Sequence, residues 1–124
     1  MVVAYPLQWP QGYPRTSYPR RSRFDNAFGE ARDGIIAEIR LLGCKAPIIS
    51  TNIELKRDGL PYAGQKQPDD KGVAVYFTYK DQPVVLACDK WDKIEHNLHA
   101  IRKTIDAMRG VERWGVSELL SRAF

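Results

Sequence analysis

Apolar residues recur at helical spacing through Phe24, Phe28, Ala31, Ile35, Ile39 and Leu42, with Glu30, Arg32, Asp33, Glu38 and Arg40 among the positions between them. This pattern predicts an amphipathic helix over 25–42. Asp25 or Asn26 can cap its start, and Gly43 is well placed to end it. Gly34 weakens the middle by about 1 kcal/mol relative to alanine, a cost that the close approach of another element would explain. A second stripe, Ile94, Leu98, Ile101, Ile105 and Met108, predicts a helix over 89–109, capped by Asp89 and ended by Gly110. Ser117 is expected to cap a short last helix containing Leu119, Leu120 and Phe124.

Between the two helices the period changes. Pro47 to Thr51 is β-rich, and Ile53 and Leu55 continue with alternation toward Asp58-Gly59, a hairpin turn signal. Residues 60–72 read as a loop with a short strand near Leu60–Tyr62. Val73, Val75 and Phe77 then face one side and Ala74, Tyr76 and Thr78 the other, Lys80-Asp81-Gln82 makes a turn, and Pro83 to Cys88 returns as a nearly all-apolar strand. The hairpin 72–88 is expected at the centre of a small antiparallel sheet. The order predicts an α+β fold, with residues 25–124 forming one domain whose helices cover one sheet face.

Residues 1–24 follow neither period. Tyr5, Trp9, Tyr13 and Tyr18 each precede a proline, so the segment is expected to be an extended, stiff arm carrying large rings. So many aromatics argue against a solvated tail, and Tyr5 to Pro14 is expected to lie on the body. The formal net charge of +4 belongs entirely to this arm: Arg15, Arg20, Arg21 and Arg23 precede the first acid, leaving 15 of the 19 basic residues to balance 15 acids from Asp25 onward. No apolar run approaches the roughly 20 residues of a membrane span, and no membrane partner is expected. Two cysteines exclude a disulfide-rich scaffold and most structural zinc sites. With no signal-peptide layout at the start, the expected compartment is the cytoplasm.

Several short motifs, in one order along nearly the whole chain from Tyr5, resemble a known group. They are Trp9-Pro-Gln-Gly-Tyr-Pro-Arg-Thr16, Ile48-Ile-Ser-Thr-Asn52, Asp58-Gly-Leu-Pro-Tyr62, Gly72-Val-Ala-Val-Tyr-Phe77, Ala87-Cys-Asp-Lys-Trp91, Asn97-Leu-His-Ala-Ile101 and Arg113-Trp-Gly-Val-Ser-Glu118. The chain is similar to the N-terminal region of J-domain-containing proteins encoded by bacteriophages and prophages. The resemblance implies a mobile-element context. It carries over no co-chaperone activity, because the His-Pro-Asp loop through which a J-domain stimulates its chaperone ATPase does not occur in the chain.

For function, the arm offers the clearest chemistry. Arg15, Tyr18, Arg20, Arg21 and Arg23 interleave cations with a ring, the mixture that suits phosphate contacts plus base stacking. Four arginines imply a log-log salt slope near −3 to −4. The alternative for the arm is that its rings pack on the body and its arginines are solvated or paired with acids there. Tyr62, Tyr76, Trp91 and Trp114 either line a protein-partner surface or cap the core. The other constellations are weak. His96 and His99 lie i, i+3 near Asp92 and Glu95, but two imidazoles without a third spaced ligand point to a solvated face, and no metal is expected. Asp89, Asp92 and Glu95 read as acids favoured at a helix N-terminus. Glu54-Leu-Lys56 has the spacing of a nuclease acid–lysine pair, but residues 47–51 hold no upstream acid, so it reads as exposed strand charge. Cys44 and Cys88 read as core packing. No cofactor-binding motif is present. The expected function is a non-enzymatic accessory module that contacts nucleic acid through the arm. The alternative is a protein-interaction module acting on a host or phage protein, as a modulator of host defence or a chaperone-associated adaptor.

Overall fold

A computed structural model of the chain describes residues 1–116. Helix α1 spans Phe28–Leu41, strands β1, β2 and β3 span Ile48–Thr51, Val73–Tyr79 and Gln82–Cys88, and helix α2 spans Ile94–Arg113. The fold is α+β: two helices packed against a three-stranded antiparallel sheet in the order β1-β2-β3. The expected last helix at 117–124 lies outside the described residues.

The alternation in β2 sorts the molecule into layers. Val73 and Val75 point into the core with their cross-strand partners Ile49 and Thr51 of β1 and Leu86 and Cys88 of β3. There they meet Ile35 and Ile39 of α1 and Ile94, Leu98 and Ile105 of α2, all fully buried. Only β2 is central. β3, expected beside it at the centre, is an edge, where Pro83 removes no ladder donor that the sheet needs. The hairpin turn is a tight pair, Lys80 and Asp81, both at positive φ. The Asp58-Gly59 signal also forms a turn, with the Lys56 N–H donating to the Leu60 carbonyl at 2.8 Å and a single bridge between Leu55 and Pro61.

The helices run parallel, since Asn26 just before α1 bonds to Glu95, Gly34 faces Arg102, and Glu38 pairs with Arg109. A Cβ at Gly34 would meet the outer end of the Arg102 side chain, a flexible group that could move aside, so the glycine lets Arg102 lie across α1 but is not demanded by backbone approach. Both helices end in the same motif, a glycine at φ +88° or +87° whose N–H and whose successor's N–H return to carbonyls of the last turn. In α1 that glycine is Gly43, as expected. In α2 it is Gly115, and Gly110 stays buried inside the helix, under the ring of Trp114.

The helix starts also move. Asn26 spends its amide on the Glu95 and Ala27 carbonyls, and α1 begins from Ala27, one or two residues later than expected, without a side-chain cap. Asp89 caps nothing, because its carboxylate is engaged by the arm, and α2 begins from Lys93. The link 89–93 is held instead by Asn97, which is fully buried. Its Oδ1 accepts the Trp91 N–H at 2.9 Å, and its Nδ2 donates to the carbonyls of Trp91 at 3.0 Å and Lys71 at 2.8 Å.

Asn97→Ala strands these buried groups, and a loss of about 2–4 kcal/mol is expected, read as a fall in Tm of the order of 10 °C by circular dichroism. Asn97→Asp is expected to be at least as damaging at neutral pH, because a carboxylate oxygen then faces two carbonyls. Part of that loss should return in acid, where the protonated group donates again.

Candidate nucleic-acid interface

The first half of the arm closes the sheet face opposite the helices. The Thr51 N–H donates to the Ala4 carbonyl, the Gln8 N–H to Ser50 Oγ, the Leu7 N–H to Asn52 Oδ1, and the Tyr76 hydroxyl to the Gln8 carbonyl. These contacts account for the complete burial of Ser50 and Ala74, a facing pair on the outer side of the sheet. The chain then turns over Gln11-Gly12, with the Trp9 indole N–H donating to the Tyr13 carbonyl at 3.1 Å. The arm is thus held against the body from Ala4 to Pro10, through its backbone and Trp9. The Tyr5 and Tyr13 rings and residues 11–14 remain exposed, short of the expectation for the whole of 5–14.

Arg15 is the anchor of the arm and is not free for a phosphate. Its guanidinium lies 4.3 Å from the Trp9 ring centre and pairs with Asp70 at 2.5 Å and with Asp89 at 2.9 Å. The Asp70 hydrogen bond is the largest influence on Arg15 and raises its pKa against the cost of burial. Burial works against the ionised form of Asp89, but hydrogen bonds from Thr16 and Arg15 outweigh it and hold the carboxyl below the usual range. A cleft of about 360 Å³ opens here, lined by Arg15, Thr16, Ser17, Pro19, Lys71 and three aspartates, 69, 70 and 89. Its three carboxylates outnumber its two cations.

Beyond the cleft the chain becomes an ordered strip. The Arg20 N–H donates to the Lys90 carbonyl at 2.7 Å, and the Asp92 N–H returns to the Arg20 carbonyl at 2.9 Å, a parallel bridge across Trp91. From there side chains alternate. Ser22 shares a 2.7 Å hydrogen bond with His96 Nδ1, Phe24 packs edge-on against Trp91, His96 and His99, and Asn26 reaches α2. Arg21, Arg23 and Asp25 face solvent. Arg20, Arg21 and Arg23 are exposed and form no ion pair among the described residues, and Tyr18 is 86% exposed at the head of the strip. Lys90 and Lys93, exposed on the link that Arg20 pairs with, add two cations that the chain order conceals. Alternation of Ser22, Phe24 and Asn26 with charged residues was visible as a signal for the strip. Nothing local marked Lys90 as its neighbour.

The other expected site residues do not converge. Tyr76 is half-buried under Gln8, and Trp91 is clasped between Phe24 and the Lys90 ammonium, 4.9 Å from its ring centre. Tyr62 and Trp114 are exposed, but Trp91 and Trp114 sit at opposite ends of α2, whose 20 residues span about 30 Å. A single surface through all four is ruled out. His96 is buried and His99 half-buried under Phe24, which overturns their reading as a solvated face. Glu54 and Lys56 are exposed, and Lys56 lies 3.7 Å from Asp58. Cys44 and Cys88 are half-buried at the core edge, and burial pushes both thiols up. Among the described residues no three His, Cys, Asp or Glu side chains group as metal ligands, and no helix is long and apolar enough to cross a membrane.

Comparison with protein-family models, with curated proteins and with solved structures finds no match to the chain.

Asp89→Ala is expected to loosen residues 10–20, read as tryptic cleavage after Arg15 and Arg20 accelerated at least tenfold at neutral pH. Because the Asp89 carboxyl is depressed, its anchoring is complete above the unfolded value near 3.9 and is lost as pH falls through the lower folded value. The arm of the unmodified protein should therefore stay protected down to about pH 4. His99 gives the second pH dependence. Burial first, then Arg102 and Lys103, lowers its pKa, so the folded state resists its protonation. Stability is expected to be full above the ordinary value of about 6.5 and to fall as pH drops from there to the folded value. Thermal melts from pH 8 to 5 should show this slope, and His99→Phe should flatten it.

Proposed function

We propose that the protein is a non-enzymatic binding module that contacts nucleic acid through the strip 18–23 and the adjoining Lys90 and Lys93. The observation that carries this reading is the set of exposed cations on a segment held in place by the body, with Arg20, Arg21 and Arg23 free of acidic partners among the described residues. An ordered strip presents its charges without the ordering cost that a loose tail incurs on binding. The resemblance of its motifs to the N-terminal region of phage and prophage J-domain proteins supports a mobile-element setting, and two free cysteines suit the cytoplasm. The groups that suggested enzymatic chemistry have structural partners instead: His96 binds Ser22, and Lys56 sits beside Asp58.

A second reading rests on a different surface. Leu41 and Trp114 are 66% and 75% exposed, and both lie at the C-terminal end of the parallel helices. A partner protein docking there would be lost from a pull-down by Leu41→Ala with Trp114→Ala and retained after nuclease treatment.

For the first reading, polarisation titrations against labelled DNA and RNA are expected to show affinity falling with salt. The log-log slope should be no steeper than about −4.5, the limit for five cations on duplex. Replacing Arg20, Arg21 and Arg23 by glutamine should make the slope shallower by about two to three. Affinity indifferent to salt, or unchanged in the triple variant, would falsify the reading.

A further inference from the structure

The strip presents its charges in a particular form. Residues 20–27 are extended, and along an extended chain alternate residues stand about 7 Å apart. Arg21 and Arg23 are two such positions on the solvent side, while Ser22 and Phe24 pin the strip to α2 on the other. The result is a short run of cations, Arg20, Arg21 and Arg23, closed by Asp25 at the next solvent-facing position, with Lys90 and Lys93 on the neighbouring link. At its head stands Tyr18, 86% exposed, a ring whose burial contributes nothing to the core. Trp91, the other ring beside the strip, is occupied by Phe24 and Lys90, so among the described rings along 18–23 and 90–93 Tyr18 is the one free to stack.

A duplex offers poor purchase for this arrangement. Its bases are stacked on each other, and an exposed ring finds no π-face there. A protein reading duplex DNA commonly places a helix or ribbon of matching charge in the major groove. The exposed sides of α1 and α2 carry both signs, with Glu30, Asp33 and Arg40 on one and Lys103, Asp106 and Arg113 on the other. Neither helix forms a basic face.

Resting on the nucleic-acid reading above, we infer that the ligand is single-stranded, its backbone tracked by Arg20, Arg21 and Arg23 and one base stacked on Tyr18. DNA and RNA share this chemistry, and the experiment separates them.

The test is fluorescence anisotropy on the full chain at low salt. The probes are labelled oligothymidylate and oligouridylate of about 15 nucleotides and a mixed-sequence duplex of the same length, within the site sizes of single-strand binders. At least one single strand should bind tenfold or more tighter than the duplex, and the tighter of the two assigns DNA or RNA. Tyr18→Phe should keep that affinity. Tyr18→Ala should lower it about 5- to 100-fold, the usual loss for one base–ring stack, and leave duplex binding unchanged. The exposure of Tyr18 makes both variants neutral for folding, which an unchanged melt verifies. Equal binding of duplex and single strand, or Tyr18→Ala behaving as the unmodified protein, overturns this inference and leaves the nucleic-acid reading standing. Binding of none of the three probes removes both.

Discussion

Asn97 projects from the first turn of α2 into a place that water does not reach, and there its amide must satisfy every polar group it meets. It meets both backbone groups of Trp91 and the carbonyl of Lys71, so one side chain joins the end of β3, the approach to β2 and the start of α2. The consequence reaches further. With the Trp91 N–H and carbonyl turned inward to Asn97, the Lys90 carbonyl and Asp92 N–H are left facing outward, and these are the groups that receive Arg20. The buried amide of Asn97 thus helps to place the basic strip without hydrogen-bonding to it. Burial makes that coupling strong, because the same bonds exposed to water would be worth little net.

A second constraint divides the arginines of the arm. Arg15 lies where Asp70 and Asp89 already converge, and a guanidinium between two carboxylates beside an indole ring becomes part of the architecture. Arg20, Arg21 and Arg23 lie past that cleft and form no ion pair among the described residues, with Lys90 and Lys93 as well as Asp92 on the link beside them. Four residues of one type in one segment thus take two roles, decided by what the fold brings opposite them. The net charge of +4 measures neither role alone.

Much of the fold was legible because period carries it. The stripe of Ile35 and Ile39, the alternation of Val73, Val75 and Phe77, and the Lys80-Asp81 turn are local patterns, and local physics decides them. The errors fall where a side chain was claimed from a distance. Asp89 had the form of a helix cap and Asn26 likewise, but each found a stronger partner far along the chain. Gly110 looked like a stop, yet a helix ends where its last carbonyls find donors, and Gly115 supplies them. His96 and His99 looked solvated because Phe24, the ring that covers them, lies more than 70 positions earlier. For the candidate site, the arm was legible in composition and the engagement of Arg15 was not, since no local pattern places Asp70 and Asp89 beside it.

The strip from 21 to 26 assigns its residues by parity: Ser22, Phe24 and Asn26 grip α2, and Arg21, Arg23 and Asp25 meet solvent. Such a segment tolerates exchanges of residue but has no tolerance for a change of length. Inserting or deleting one residue between Arg20 and Ser22 would swap the two sets, driving Arg21 or Arg23 against His96 and Trp91 and turning Phe24 outward. What this stretch of chain must preserve is a count, and its spacing rather than its spelling is the heritable part of the surface.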